Sequence, residues 1–334
     1  MGFVICGLLF AHVAWAQAMP DPVQYAVAPE TPGPGERVLI QTQGVGSFLG
    51  NATITWTQDG VVTKKGVGEQ SYSFVAPALG QSTTVRVSID SSSQGALGRT
   101  FTFTPSLVNL MWEADTTVPP LYRGKPLYSA GSPLRVIAFP IVYQGGRQVA
   151  ASALSYQWSV NDNPLPDRSG LGRFILSYTG DQLQTSEQIS VDAYYGTAKV
   201  GHGELIVPAS TPELLLYQRD ALRGVVLDQA MPAGIALGGK EITLQAQPFY
   251  FSNTSRAAGA LTYSWQIDGE TTTGPDAARG VLTLRQTGEG VGEAGVLVGL
   301  QNYGSSTFVQ SAEAALRIVF GQQTGSLISN LFGL

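Results

Sequence analysis

A tryptophan set in a short alternating strand occurs three times in this chain: in Thr53-Ile-Thr-Trp56-Thr-Gln-Asp59-Gly60, in Leu154-Ser-Tyr156-Gln-Trp158-Ser-Val160-Asn161-Asp162, and in Leu261-Thr-Tyr263-Ser-Trp265-Gln-Ile267-Asp268-Gly269. The three tryptophans lie 102 and 107 residues apart. A period near a hundred residues is the size of one β-sandwich domain, so a chain that repeats itself at this interval is constrained to a tandem array.

The neighbouring strands keep step. A Gly-marked turn precedes Val38-Leu-Ile40, Leu134-Arg-Val136-Ile137 and Ile242-Thr-Leu244. About thirty residues past each tryptophan an alternating strand returns, at Thr84 to Ile89, Gln188 to Val191 and Gly295 to Val298, and a closing strand follows at Thr100 to Phe103, Glu204 to Val207 and Ala315 to Val319. Period-two alternation between turn residues is the pattern of half-buried strands in sandwiches. At Thr104-Pro105 and Thr211-Pro212 a proline stands just before a new apolar strand, which suits a short semi-rigid joint. The expected order is a segment 1–18, domains at 19–105, 106–210 and 211–320, and a tail at 321–334. The expected fold is all-β, with three tandem sandwiches and Trp56, Trp158 and Trp265 in their cores.

A Tyr-x-Trp strand followed by a polar hairpin, with a Gly-led strand before it and alternating strands after it, resembles bacterial immunoglobulin-like and PKD-like envelope domains. The resemblance implies that each tryptophan packs between the two sheets. The PKD turn Trp-x-Phe-Gly-Asp-Gly is absent, and the single cysteine rules out an inter-sheet disulfide. Through Leu110-Met-Trp112-Glu113-Ala114-Asp115 and Pro119-Pro-Leu-Tyr122-Arg-Gly124-Lys125 the chain is also similar to multi-domain surface proteins of small-genome candidate-phylum bacteria, a likeness that implies no known activity.

Residues 1–18 are apolar and close on the small-residue spacings Ala14-Trp-Ala16 and Ala16-Gln-Ala18, which reads as a signal helix cleaved on export. No Lys or Arg precedes the apolar run, a departure from the usual pattern. The expected location is extracellular or at the cell surface, with a periplasmic site as the variant, and no membrane span is expected in the mature chain. Cleavage after Ala18 removes Cys6 and His12 and leaves His202 as the one histidine. Cys-His chemistry and Cys/His zinc sites are then excluded, and any Ser-His-Asp triad would need His202. His202 sits between Gly201 and Gly203, which reads as a glycine-softened bend carrying an exposed loop histidine. With 19 Lys and Arg against 24 Asp and Glu, a net charge of −5 builds no field to gather phosphates, so nucleic acid is not an expected partner. No convergent nucleophile, base and electrophile is visible, and neither enzymatic activity nor a cofactor or metal is expected.

What departs from the repeat is the candidate for function. The second domain carries a long segment from Trp112 to Ala130 with Trp112, Glu113, Asp115, Tyr122, Arg123 and Lys125, and the third carries a counterpart from Arg219 to Gly234 with Asp220 and Arg223. Two readings are open: a shared binding edge on a rigid scaffold, or a bridge packed between consecutive domains. Glu113 with Asp115 lacks the six or more oxygens of a calcium site, and Asn161-Asp162-Asn163 falls where a hairpin needs residues tolerant of positive φ. The glycines of Gly288-Glu-Gly290-Val-Gly292 lead into a strand, not a helix, and read as a turn. The expected partner is an envelope or appendage protein that the loops contact while the sandwiches act as spacers, in adhesion or envelope assembly. The alternative is a surface glycan stacked on Trp112, Tyr122, Tyr194, Tyr195 and Tyr303. An uncharged tail with apolar residues at Leu327, Ile328, Leu331, Phe332 and Leu334 reads either as a segment docked on the third domain or as a short plug for a partner.

Overall fold

The computed structural model describes residues 22–44, 48–254, 259–288, 290–303 and 310–321. The segment 1–18, read above as a signal helix, and the tail beyond Gly321 lie outside the described residues. The chain divides into two compact units, Met1–Ser106 and Leu107–Leu334. The first unit holds one β-sandwich and the second holds two.

In the first domain Val23–Ala28, Arg37–Gly44 and Ser71–Val75 form one sheet, and Val61–Val67, Thr53–Gln58, Thr83–Ser91 and Gly95–Phe103 form the other, in those orders. The second domain opposes Ile175–Thr179, Pro133–Ile141 and Leu107–Ala114 to a sheet built on Asn163–Pro164, Ser155–Val160, Ser186–Tyr195 and Ala198–Pro208. The third opposes Gly224–Val225, Glu213–Asp220, Glu241–Phe249 and Val281–Arg285 to Gly234–Leu237, Gln310–Phe320, Gly292–Asn302, Leu261–Ile267 and Glu270–Thr272. Inward residues of each sheet pair fill one apolar core per domain. Among the described residues pairing is antiparallel except for Gly234–Leu237, which runs parallel to the last strand.

The repeat is atomic as well as architectural. Trp56, Trp158 and Trp265 are 0%, 1% and 0% exposed, and each stands opposite a valine on the neighbouring strand: Val87, Val191 and Val298. A buried indole N–H needs an acceptor. Each donates to a backbone carbonyl on the chain that crosses over from the tryptophan strand: Glu69 at 2.8 Å, Arg173 at 2.7 Å and Ala277 at 3.1 Å. Three residues past each tryptophan the backbone turns left-handed, with φ of 49° at Asp59, 50° at Asn161 and 51° at Asp268. Asp and Asn tolerate this region because their short side chains bond locally. Here each side-chain oxygen accepts the amide of a residue on the adjacent strand, Thr84 at 2.8 Å, Gln188 at 2.9 Å and Gly295 at 2.7 Å. The same three residues return a bond, their carbonyls accepting the amides of Asp59, Asn161 and Asp268. Asn161 and Asp162, at φ 50° and 61°, therefore form a hairpin turn, as their residue types suggest.

His202 corrects an expectation. It lies within the strand Ala198–Pro208, not in a loop, and its Nδ1 is 2.7 Å from the Asp192 carboxylate across the sheet. The flanking glycines serve packing instead of a bend: Gly201 and Gly203 are buried, and a side chain at Gly203 would collide with the Val108 carbonyl. Glycine is the residue that admits such close backbone approach.

Candidate binding site

The strand Leu107–Ala114 pairs with Pro133–Ile141 and places Trp112 opposite Val136 and Glu113 opposite Arg135. Both residues are therefore part of a strand, and the insert proper starts at Asp115. Trp112 is half-buried at the margin of the second core. Lys125 folds back so that its ammonium lies 3.2 Å from the Trp112 ring centroid, an attraction between a cation and the negative ring face. Desolvation there lowers the Lys125 pKa, opposed by the nearby Glu113 carboxylate. Glu113 and Arg135 form an exposed ion pair at 3.2 Å, of little energetic weight in water.

From Asp115 onward the insert is bonded to the third domain. Thr117 donates its amide to Phe251 O at 2.7 Å and accepts the Tyr250 amide at 2.7 Å, while its hydroxyl accepts the Phe251 amide at 3.0 Å. Asp115 accepts the Asn253 side-chain amide at 3.0 Å. The Tyr122 and Tyr250 hydroxyls are 3.0 Å apart, and Tyr122 meets the Phe249 ring edge-on at 5.8 Å. Val118 and Leu127 from this insert pack against Tyr217, Phe249 and Tyr250, and Val225, Leu227 and Ala230 from the second insert join the same cluster. The two inserts thus share one small apolar core between the second and third domains. Asp220 and Arg223 close the tip of the second insert: Asp220 accepts the amides of Leu222 and Arg223, both at 2.9 Å. Those two backbone bonds, Arg223 first, lower its pKa.

A second, polar seam lies beside the apolar one, and nothing in the sequence pattern marked it. Gln310 Nε2 donates to Ser129 Oγ at 2.9 Å, Ala130 O at 3.1 Å and Ser132 Oγ at 3.2 Å. Its Oε1 accepts the Ser252 amide at 3.0 Å and the Asn302 side-chain amide at 2.7 Å. Ser129 also donates to Tyr250 O. Next to Ser129, Tyr128 donates at 2.9 Å to Glu187, a carboxylate 0% exposed that also accepts from Asn161 Nδ2 and the Asp181 amide, both at 2.7 Å. A signal that could have located the junction is Phe249-Tyr-Phe251, since a run of three aromatics breaks period-two alternation. All three are buried, and Tyr250 is turned left-handed at φ 62°.

Solved structures similar to this chain include the three N-terminal domains of the highly immunogenic outer capsid protein Hoc of bacteriophage RB49, at 11% identity and TM-score 0.25 over 90% of this chain and 99% of that one. The central fibronectin-III array of RIM-binding protein matches at 14% identity and TM-score 0.29, covering 91% and 98%. Sidekick-1 immunoglobulin domains 1–4 match at 15% and 0.20, covering 90% and 75%. No family model matches the sequence, and no match was found among curated proteins. At such low identity and TM-score nothing about ligand, partner or activity transfers, and the PKD-like and candidate-phylum likenesses gain no sequence-family support.

Both insert tips stay open to solvent, the second at Leu222, 97% exposed, and the first along its rim. Leu121 is 95% exposed at a left-handed φ of 63°, and Arg123 beside it is exposed. Tyr122 keeps one edge in solvent. Among the described residues no ring–ring contact joins any two of Trp112, Tyr122, Tyr194, Tyr195 and Tyr303. Among the described residues no group of three or more His, Cys, Asp or Glu side chains converges to hold a metal, and no helix is long and apolar enough to cross a membrane.

Stability at the seam is expected to depend on pH. Burial, then the bond to Tyr122, pushes the Tyr250 phenol up to about 12, and burial, then the Glu187 charge, pushes Tyr128 higher still. For acids with raised folded pKa values the stabilisation is complete below the unfolded value near 10 and is lost as pH rises through the folded ones. The urea midpoint of the unit Leu107–Leu334 is expected to fall between pH 10 and 12, and Tyr250→Phe to flatten that slope. An unchanged slope in the variant would separate Tyr250 from the alkaline loss.

Proposed function

We propose that this chain is a non-catalytic, exported display protein, in which the second and third sandwiches act as one rigid piece and the rim Leu121–Lys125 contacts a protein of the cell envelope or of a surface appendage. The observation that carries this reading is the double use of the first insert. Its inner side is consumed by the junction with the third domain, while its outer side holds Leu121 in solvent beside Arg123. A loop already ordered by a neighbouring domain loses little further entropy on binding, which favours recognition. Exposed Leu with flanking Tyr and Arg matches the chemistry of contact anchors rimmed by polar groups.

The test is a photo-crosslinking residue at position 121 in intact cells, with mass spectrometry of what is attached. One defined envelope or appendage protein is the expected product, and Arg123→Glu is expected to weaken its capture about tenfold or more, since the substitution reverses a charge at the contact. Equal capture by the parent and by the Arg123→Glu chain, both crosslinked from position 121, would remove the rim from the contact.

A further inference from the structure

The closing strand of each sandwich lies at or next to the end of a sheet, and the three domains treat its outer side differently. In the third domain Gly234–Leu237 runs parallel along Arg317–Phe320 and covers it. In the second, the backbone of Val108 closes on Gly203 in the equivalent strand. In the first domain Gly95–Phe103 is the outermost strand, and among the described residues no strand is hydrogen-bonded along its free side, although just past its end the Ser106 amide donates to Pro32 O at 3.2 Å. Its pairing with Thr83–Ser91 is continuous over nine residues without a register shift. It contains no proline and one charged residue, Arg99, whose guanidinium is turned onto the Tyr25 and Phe101 rings at 5.3 Å from each centroid.

The other end of the same sheet is built differently. Val61–Val67 carries Lys64 and Lys65, and its pairing is broken by a register shift between Trp56 and Thr57. Lysine and bulges are the devices by which proteins stop an edge from pairing with another chain, and a long regular edge without them is a template for an added strand. One sheet therefore holds a protected edge and an open one.

We propose that the open edge is a self-association surface, on which Gly95–Phe103 of a second copy pairs antiparallel about a two-fold axis at Thr100. The strand is self-complementary in that register. Thr100 faces its twin, Gly98 faces Thr102, Leu97 faces Phe103, and Arg99 faces Phe101, the ring type it already covers. The two Arg99 side chains do not oppose each other, whereas an axis at Arg99 would set like charges face to face. Threonine pairs and aromatic contacts across strands are favourable, and like charges directly opposite are not. Closed two-fold pairing also consumes the edge, so the product is a dimer and not a fibre.

Sedimentation equilibrium of the full chain tests this. A concentration-dependent dimer is expected, and Thr100→Lys, which places two ammonium groups face to face on an exposed position, is expected to raise its dissociation constant about tenfold or more. Thr100→Glu is expected to do the same alone, and mixing the two variants to restore a mixed dimer. Val67→Lys on the protected edge is expected to leave the dimer unchanged. A chain that is monomeric at every concentration, or a dimer indifferent to both Thr100 variants, overturns the proposal. Mixed variants that fail to pair, while each keeps the parent near-ultraviolet circular dichroism, overturn the register.

Discussion

Trp158→Ala is expected to cost the unit Leu107–Leu334 about 3–5 kcal/mol, the range for emptying a fully buried large aromatic position. The side chain is 1% exposed and sits among Val136, Leu154, Leu176 and Val191 of both sheets, so its removal opens a void that close-packed neighbours refill only in part. A polar loss adds to the apolar one, because the Arg173 carbonyl gives up the indole donor at 2.7 Å. Trp158→Phe separates the two, keeping most of the volume while deleting the bond, and is expected to cost roughly half as much. The check is urea denaturation followed by circular dichroism, with the shift read at the transition of this unit. A loss below about 1 kcal/mol for the alanine variant would show that the tryptophan is not the centre of its core.

The position of that tryptophan was legible in the sequence for a definable reason. A strand with one face in the core alternates, a sandwich needs about a hundred residues, and three copies of one signal reinforce each other. Flanking strands such as Arg37–Gly44, Pro133–Ile141 and Glu241–Phe249 were legible on the same grounds. The left-handed turns at Asp59, Asn161 and Asp268 were half-legible: residue type indicates a turn, but the bonds to Thr84, Gln188 and Gly295 depend on a strand that arrives some 25 residues later.

The candidate site was legible only in outline. Trp112, Tyr122, Arg123 and Lys125 stood out because they interrupt the repeat, yet the partner that fixes Tyr122 comes from far along the chain: Tyr250 lies 128 residues after it. Side-chain pairing at that separation leaves no periodic trace. His202 was misread for a related reason. Glycine marks either a bend or a close backbone approach, and only the tertiary position of Val108 decides which. Gln310 was invisible, since a glutamine at the start of a strand has the composition of a surface position.

That glutamine is expected to have the largest effect of any residue at the junction. Gln310 is 4% exposed, and its amide bonds five groups at once, three from the second domain and two from the third. Gln310→Ala deprives the buried Ser252 amide of its acceptor and removes the shared donor of Ser129, Ala130 and Ser132. Each buried polar group so deprived costs about 1–3 kcal/mol, less than additively because they share one site, which places the expected loss at about 3–5 kcal/mol. Gln310→Glu keeps the size but turns the donor into a carboxylate oxygen facing three oxygens, and is expected to be at least as damaging at neutral pH. If the junction makes one rigid piece of the two sandwiches, distances across it must also lose definition. Spin labels at the exposed positions Arg147 and Glu270, in a Cys6→Ser chain, are expected to give a narrow distance distribution that broadens in both Gln310 variants. A variant with full stability and an unbroadened distribution would show that the apolar cluster of Tyr217, Phe249 and Tyr250 holds the two domains without the polar seam.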